Sequence, residues 1–216
     1  MAYRGDAGDP YVDPETGILK NLAGIRDAAL LEDYEGEMSI VRQIELSENP
    51  LSSSFDLTRL RAIHRQLFQD VYAWAGEFRI VDMAKGRSRF GSHLHIGNYL
   101  SKTFLKLAAE RDRWRKSPEA VDWAERFSHY LGEINAAHPF REGNGRAQRL
   151  FIGQLAEEYG FEIRWDHMTA PEMVAASIAS FNGDNEPLKL LILKHLITKS
   201  VSTKKVSDSL PDHRGS

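Results

Sequence analysis

The sequence predicts a single, all-α domain with one β-hairpin, and three observations favour that fold class. Several segments repeat apolar residues every three or four positions, which is the period of an amphipathic helix. Only one pair of short segments, placed on either side of a glycine-containing turn, has the composition of strands. The length of 216 residues suits one domain with a sizeable core, and no internal repeat divides it.

Composition excludes several classes of protein. Lys and Arg number 28 and Asp and Glu number 31, so the net charge of −3 provides no positive field for direct nucleic-acid or anionic-membrane binding. Cysteine is absent, which excludes disulfides, thiolate chemistry and Cys-based zinc sites. No apolar run approaches the ~20 residues of a membrane span, and the first residues lack a signal peptide. A cytoplasmic location is therefore expected, although transfer to another cell by a secretion system would leave no mark in the composition.

The two ends of the chain differ from its middle. Residues 1–17 are rich in Gly, Asp and Pro, which predicts an irregular N-terminal arm. Residues 200–216 are polar without periodicity, which predicts a disordered tail. The folded domain is accordingly expected to span residues 18–199.

Two amphipathic helices are predicted before the hairpin. The first runs from about Gly24 to Ser47, with one face formed by Leu30, Tyr34, Met38, Val41 and Glu45. Asp56 is a candidate N-cap for the second helix, which carries its apolar residues on one side. These are Leu60, Ile63, Leu67, Phe68 and Val71. His64 lies on the flank of that helix, and we interpret it as structural rather than catalytic.

The hairpin is predicted from two extended runs, residues 78–83 and 88–92, around a turn that contains Gly86. An isolated hairpin leaves one strand edge unpaired, and exposed edges recruit other strands. The residues alone leave two interpretations open, a surface hairpin without a role or a docking edge for a partner. The spacing of His93 and His95 can hold a metal ion, but without further ligands a metal site there is not favoured.

Five further helices are predicted after the hairpin, which makes about seven in all. One spans about Asn98 to Lys116, and Ser117-Pro118 is a start signal for the next. The strongest apolar periodicities lie on either side of residue 138 and predict two central helices. The apolar residues before it are Ala120, Ala124, Phe127, Leu131 and Ile134. Those after it are Ala147, Leu150, Phe151, Leu155 and Tyr159. Residues 161–165 are predicted as an extended link. Thr169 and Glu172 form a capping box, and a last helix runs from Pro187 through Leu196.

The loop between the central helices concentrates the residues with chemical potential, His138-Pro139-Phe140-Arg141-Glu142-Gly143-Asn144-Gly145-Arg146-Ala147-Gln148-Arg149. Gly143-Asn144-Gly145 can turn several backbone N–H groups toward one anion, and a helix starting there adds its dipole. Arg146 and Arg149 share a helix face. Glu142 is a hard oxygen ligand suited to Mg²⁺, and His138 can accept a proton near neutral pH.

The pattern His-x-Phe-x-Glu-Gly-Asn-Gly-Arg-x-x-Arg resembles the complete signature of the Fic family. The resemblance extends over about residues 9–198, including Asp9-Pro10-Tyr11 and Trp74-Ala75-Gly76, and is greatest to the small bacterial Fic toxins of toxin–antitoxin modules. It implies the Fic fold and an enzyme that transfers AMP from ATP to a Ser, Thr or Tyr hydroxyl of a target protein. ATP as substrate and Mg²⁺ as cofactor are therefore expected.

The resemblance also implies a role for each motif residue. His138 would deprotonate the target hydroxyl, Phe140 would anchor the loop in the core, and Glu142 would hold Mg²⁺. Gly143, Asn144 and Gly145 would seat the phosphates, and Arg146 and Arg149 would hold the β- and γ-phosphates. The hairpin would act as a flap that docks the target through Val81, Asp82, Met83, Ala84, Lys85 and Gly86.

The resemblance to the Fic family also implies which alternatives exist for the reaction, its inhibition and its target. A phage-derived Fic branch carries Lys at the position of Gly145 and phosphorylates its target, so the glycine favours AMP transfer. Family members are inhibited by Ser/Thr-x-x-x-Glu-Gly/Asn, whose Glu pairs with the second motif arginine, and no Ser or Thr here has Glu four residues later. A separate small antitoxin is therefore expected to supply that Glu to Arg149. Type II topoisomerase subunits are the expected targets. The alternatives are host small GTPases modified by a secreted effector, or a catalytically silent module that docks strands.

Overall fold

The computed structural model describes residues 4–5, 8–51, 54–86, 88–114 and 119–199. Within them lie seven α-helices: α1 Ala28–Glu48, α2 Leu57–Phe68, α3 Ile96–Trp114, α4 Ala120–Ala137, α5 Asn144–Glu158, α6 Ala170–Phe181 and α7 Glu186–Lys194. The strands are β1 Arg4–Gly5, β2 Met83–Lys85, β3 Ser88–Arg89, β4 Phe161–Ile163 and β5 Leu196–Thr198. The predicted mostly helical fold is confirmed. The predicted tail and the Ser117-Pro118 start signal lie outside the described residues.

Helix α4 is the centre of the bundle, because α3, α5, α6 and α7 all pack against it. Its Phe127, Leu131 and Ile134 are buried, as are Phe151 and Leu155 of α5. The motif forms the connection between these two helices and the first turns of α5. Because both helices are fixed by the core, they hold the connecting loop rigidly.

Local start signals are confirmed where they depend on neighbouring residues. The Asp56 carboxylate accepts a hydrogen bond of 2.9 Å from the Arg59 backbone N–H, which makes Asp56 the N-cap of α2. Thr169 and Glu172 form the predicted capping box at the start of α6. Each signal works because a short side chain satisfies an N–H group that the first helical turn leaves without a partner.

The predicted face of α1 is only partly confirmed, because Tyr34 and Met38 pack against the core whereas Leu30 and Val41 do not. Leu30 and Val41 are 56% and 48% exposed, whereas Leu31, Glu35, Ser39 and Leu46 are buried. Apolar residues lie on both sides of this helix, so their spacing could not decide which side packs inward. The side that packs against α2 includes the polar residues Glu35 and Ser39, and both contact Arg146 of the motif.

The hairpin is confirmed, but its outer edge is not open. In β2 and β3, Ala84 pairs with Arg89 and Lys85 pairs with Ser88. β1 lies on the other side of β2, with Arg4 paired to Ala84 and Gly5 paired to Met83. The expectation of an unpaired edge is therefore corrected. A two-residue strand is too short to show an alternating pattern, so the sequence of the arm did not reveal β1.

A second small sheet was not predicted. Phe161–Ile163 pairs antiparallel with Leu196–Thr198. The last helix accordingly ends at Lys194, before the predicted Leu196, and the chain continues as β5. Among the helices of the described residues, none combines the length and the apolar character needed to cross a membrane.

Candidate active site

The motif loop reverses the chain through two left-handed residues. His138, the C-cap of α4, has φ 45° and ψ 63°, and Gly143, the N-cap of α5, has φ 76°. A Cβ on Gly143 would lie 2.3 Å from the Phe68 ring, so both the conformation and the space require glycine there. A histidine in the left-handed region is uncommon and costs about 1–2 kcal/mol. The surrounding contacts hold it in that conformation.

Asn144 closes the loop on itself. Its side-chain oxygen accepts from the Phe140 N–H at 2.8 Å, and its side-chain nitrogen donates to the Phe140 carbonyl at 2.7 Å. Phe140 itself is fully buried, which agrees with the predicted anchoring role. The Asn144 amide thus shapes the loop, and only its backbone N–H can face a ligand.

The first turn of α5 offers backbone N–H groups to an anion. Gly143 provides no side-chain cap, and among the described residues no acceptor contacts the N–H groups of Asn144, Gly145 or Arg146. Free N–H groups and the positive end of the helix dipole form an anion site. A Cβ on Gly145 would lie 3.1 Å from the Arg149 guanidinium, so the glycine lets that side chain lie close to the same turn.

His138 is a buried imidazole held neutral by its surroundings. It is 4% exposed and stacks on Phe90 with ring centroids 3.8 Å apart. Burial lowers the pKa of His138 to about 3, the cations of Arg79 and Lys85 add to that effect, and a backbone hydrogen bond at Asn135 opposes it. At pH 7 the ring is therefore unprotonated and can accept a proton.

Glu142 lies beside the α5 turn. Its carboxylate accepts a hydrogen bond of 2.9 Å from the Gly143 N–H, and burial raises the pKa of Glu142, an effect that Arg146 and Arg141 oppose. The described residues contain no group of three His, Asp or Glu side chains able to hold a metal ion. A single carboxylate fits Mg²⁺ that takes its other ligands from phosphates and water.

Four residues that support the loop were not assigned to the site from the sequence. His64, fully buried, accepts from the Gly76 N–H at Nδ1 and therefore donates from Nε2 to the Glu142 carbonyl at 2.9 Å. Its ring stacks on Phe140 at 3.8 Å, and burial lowers the pKa of His64 to about 3. These contacts agree with the interpretation of His64 as structural.

The other three residues that support the loop, Arg79, Arg141 and Asp9, are charged. The buried Arg79 guanidinium donates to the carbonyl groups of His138, Val81 and Ala137 at 2.8, 2.6 and 3.1 Å, and also to that of Gly91. It therefore ties the base of the flap to the end of α4.

Arg141 donates to Asp9 at 2.8 Å, and both side chains are less than 10% exposed. Residues so distant in sequence leave no periodic pattern, so helical spacing could not reveal that Asp9 pairs with Arg141 or that Gly76 bonds to His64. The only signal for Asp9 and Gly76 in the sequence was that Asp9-Pro10-Tyr11 and Trp74-Ala75-Gly76 resemble the Fic family.

The flap is divided between core and surface. Val81 and Met83 are buried with Phe90 and Tyr11, so their side chains stabilise the hairpin rather than face a partner. Asp82 accepts from the His93 backbone N–H and ring Nδ1, both at 2.8 Å, and these bonds hold the pKa of Asp82 below its usual range. Ala84, Lys85 and Gly86 remain accessible at the turn. The Nδ1 atom of the His93 ring therefore has the Asp82 carboxylate as its hydrogen-bond partner.

Comparison with known proteins identifies the family. The Fic/DOC profile matches residues 54–156. The chain is 38% identical over 180 residues to the probable protein adenylyltransferase y4lH of Sinorhizobium fredii, and the match covers 83% of this chain and 92% of that protein. The chain belongs to the Fic/DOC family.

Two further proteins are similar over most of this chain. Identity to the protein adenylyltransferase VbhT of Bartonella schoenbuchensis is 42% over 202 residues, which is 94% of this chain but 42% of VbhT. This chain therefore spans less than half of that relative. The crystal structure of the BepC effector protein of Bartonella tribocorum, with AMPPNP bound, matches with a TM-score of 0.80 at 25% identity, covering 89% of this chain and 98% of that chain. The predicted Fic fold is confirmed.

Proposed function

We propose that this Fic protein is an adenylyltransferase that moves AMP from ATP to a Ser, Thr or Tyr hydroxyl of a target protein. The observation that carries the proposal is the placement of neutral His138 at one end of the motif loop and the open first turn of α5 at the other. The loop thus joins a proton acceptor to an anion site. The similarity to two protein adenylyltransferases and the AMPPNP bound to BepC support ATP as substrate.

In the proposed reaction the target hydroxyl oxygen forms a bond to the α-phosphorus, and the bond from that phosphorus to the β-bridging oxygen breaks. The hydroxyl proton passes to the neutral His138, and pyrophosphate leaves. The N–H groups of Gly145 and its neighbours would stabilise charge on the phosphate oxygens, and Arg146 and Arg149 would orient the β- and γ-phosphates. Glu142 would hold Mg²⁺, which supplies positive charge against the triphosphate when bound.

AMP transfer is favoured over phosphoryl transfer by the space around Gly145. Arg149 approaches so closely that a Cβ at Gly145 would contact its guanidinium at 3.1 Å. A lysine side chain at that position would displace Arg149, whereas glycine leaves the guanidinium next to the helix N-terminus. A nucleotide can then bind with its full triphosphate over the first turn of α5.

We further propose that a separate antitoxin restrains the enzyme, as the toxin resemblance implies. Among the described residues, no carboxylate forms an ion pair with the Arg149 guanidinium, so that part of the chain does not supply the inhibitory contact. The exposed side of α1 carries Leu30, Ile40, Val41 and Ile44, each between 48% and 62% exposed. An amphipathic antitoxin helix could bury these residues and bring its Glu toward Arg149.

The proposed targets are type II topoisomerase subunits, reached in the cytoplasm. The toxin resemblance carries this choice. Modification of host small GTPases by a secreted effector is the alternative. BepC, an effector protein, shares the fold of this chain, but a shared fold does not specify a target.

One labelling experiment tests the reaction. The purified chain is incubated with Mg²⁺, a bacterial lysate and ATP labelled on either the α- or the γ-phosphate, and labelled protein is detected on a gel. AMP transfer predicts labelled protein with α-labelled ATP and none with the γ-label. Labelling from the γ-phosphate would show phosphorylation instead, and no labelling from either would favour a silent binding module. A gyrase subunit added as purified protein tests the target.

A further inference from the structure

Glu35 of α1 is a buried carboxylate directed at the motif. It is 7% exposed. One carboxylate oxygen accepts a hydrogen bond from the Arg146 guanidinium at Nη2, and the other accepts from the Tyr72 hydroxyl. Glu35 lies outside both the twelve-residue motif and the residues 54–156 that match the family profile. Glu35 lies on the inward side of α1, although it is not among the residues that the helical periodicity placed on the apolar face.

Two more contacts fix the same guanidinium. Arg146 Nη1 donates to Ser39 Oγ at 3.2 Å, and the Ser39 hydroxyl in turn donates to the Gly36 carbonyl at 2.9 Å. The Arg146 Cζ atom lies 4.7 Å from the centroid of the Phe68 ring, a cation–π contact. Side chains from α1 and α2 thus hold the guanidinium in one orientation. Arg146 keeps 29% of its side-chain surface exposed, so one part still reaches solvent.

The neighbouring arginine is arranged differently. Burial lowers the pKa of Arg149, and the charge of Arg146 lowers it further, which is the repulsion between two like charges one helical turn apart. Glu35 places a negative charge beside this pair from outside the motif. A guanidinium has five N–H groups, and the contacts with Glu35 and Ser39 use two of them, so others can bind a phosphate.

We propose that Glu35 is a positioning residue that orients Arg146 for the β-phosphate of ATP and offsets the charge of the arginine pair. The inference rests on the proposed function, since it assumes that a nucleoside triphosphate occupies this site. A preoriented guanidinium binds phosphate more tightly, because less rotational freedom is lost on binding. Helix α1 therefore becomes part of the nucleotide site through one ion pair.

A competing role would be inhibition, with Glu35 occupying the place of a phosphate. Glu35-Gly36 matches the end of the family's inhibitory pattern, but Leu31 stands where that pattern has Ser or Thr. The carboxylate contacts Arg146 rather than Arg149, and it is anchored by Tyr72 in the core. A carboxylate fixed on one side of Arg146 leaves the other side of that guanidinium free for a triphosphate, and it does not contact Arg149.

Isothermal titration of ATP, ADP and AMP, each with Mg²⁺, tests the proposal on Glu35→Gln. Hydrogen bonds to charged groups predict a loss of about tenfold in affinity for ATP and ADP. Affinity for AMP should change less than about twofold, because AMP has no β-phosphate. The matched control is Glu37→Gln, an exposed carboxylate on the same helix, which should bind all three nucleotides as the wild type does.

A double-mutant cycle with Arg146→Ala separates positioning from a fold defect. In the Arg146→Ala background, Glu35→Gln should cause no further loss of ATP affinity. An equal loss in both backgrounds, or tighter ATP binding by Glu35→Gln alone, overturns the proposal. If Glu35→Gln does not fold, Ser39→Ala removes the other anchor without changing charge, and unchanged ATP affinity in that variant overturns the proposal as well. A folded wild-type chain that binds no ATP would instead contradict the proposed function itself.

Discussion

The motif loop and the flap lie side by side but are held in opposite ways. The loop is fixed by buried polar side chains, among them His64, Arg79 and Asn144, each with satisfied hydrogen bonds. The flap is a sheet of strands two or three residues long, with Ile80 63% exposed at its base. A loop that binds one invariant triphosphate gains from rigidity. An edge that pairs with backbone can accept different target sequences, since main-chain hydrogen bonds do not depend on side chains.

The largest effect should come from removing the proton acceptor of the loop. His138→Ala should reduce target labelling by about 10²–10⁴-fold, the usual contribution of a general base, while ATP affinity stays within a few fold. Labelling is measured with α-labelled ATP, and ATP affinity by titration.

The matched control is His95→Ala, an exposed histidine outside the loop. Labelling by His138→Ala at the wild-type rate would remove the imidazole from the mechanism. A parallel loss of ATP affinity would show that the two ends of the loop do not work separately.

A smaller effect should come from the flap. Ala84→Pro removes one N–H from the middle strand of the sheet and should reduce target labelling by about tenfold, with ATP affinity unchanged. Ala84→Thr keeps the N–H and provides the control. If ATP binding weakens together with labelling in the proline variant, the flap holds the nucleotide or the hairpin has unfolded, and the division between loop and flap fails.

The smallest effect concerns the pH dependence of the free energy of unfolding, which reports on the buried imidazole of the loop. The pKa of His138 is lowered to about 3, so between pH 6.5 and 5 the unfolded chain binds a proton at this residue that the folded chain does not. Stability should therefore fall as the pH falls, by up to about 1.4 kcal/mol per pH unit for this residue. His138→Asn, which tolerates the left-handed conformation, should lose that part of the slope in denaturant unfolding.

Equal slopes in the wild type and in His138→Asn would contradict a buried neutral imidazole. Comparing the two proteins cancels the contributions of other groups whose pKa values are shifted, including His64 and Glu142.

What the sequence could predict depended on whether a feature is local. The motif is contiguous, so its glycines, Asn144 and the helix start could be read directly, and the caps Asp56 and Thr169 involve residues three apart. The inward side of α1 could not be predicted, because both sides are apolar and the choice depends on Tyr72 and Arg146, which are distant in sequence. The pairings of Asp9 with Arg141 and of β4 with β5 were missed for the same reason.

The strand β1 on the outer side of β2 has a practical consequence for anyone who assays this protein. Because Arg4 and Gly5 belong to the same chain as the flap, they meet it at an effective concentration on the order of millimolar, as tethered segments do. A target segment that docks on the edge of Met83 and Ala84 has to displace them. Apparent target affinity would then depend on what is fused to the N-terminus, so a purification tag is better placed at the other end.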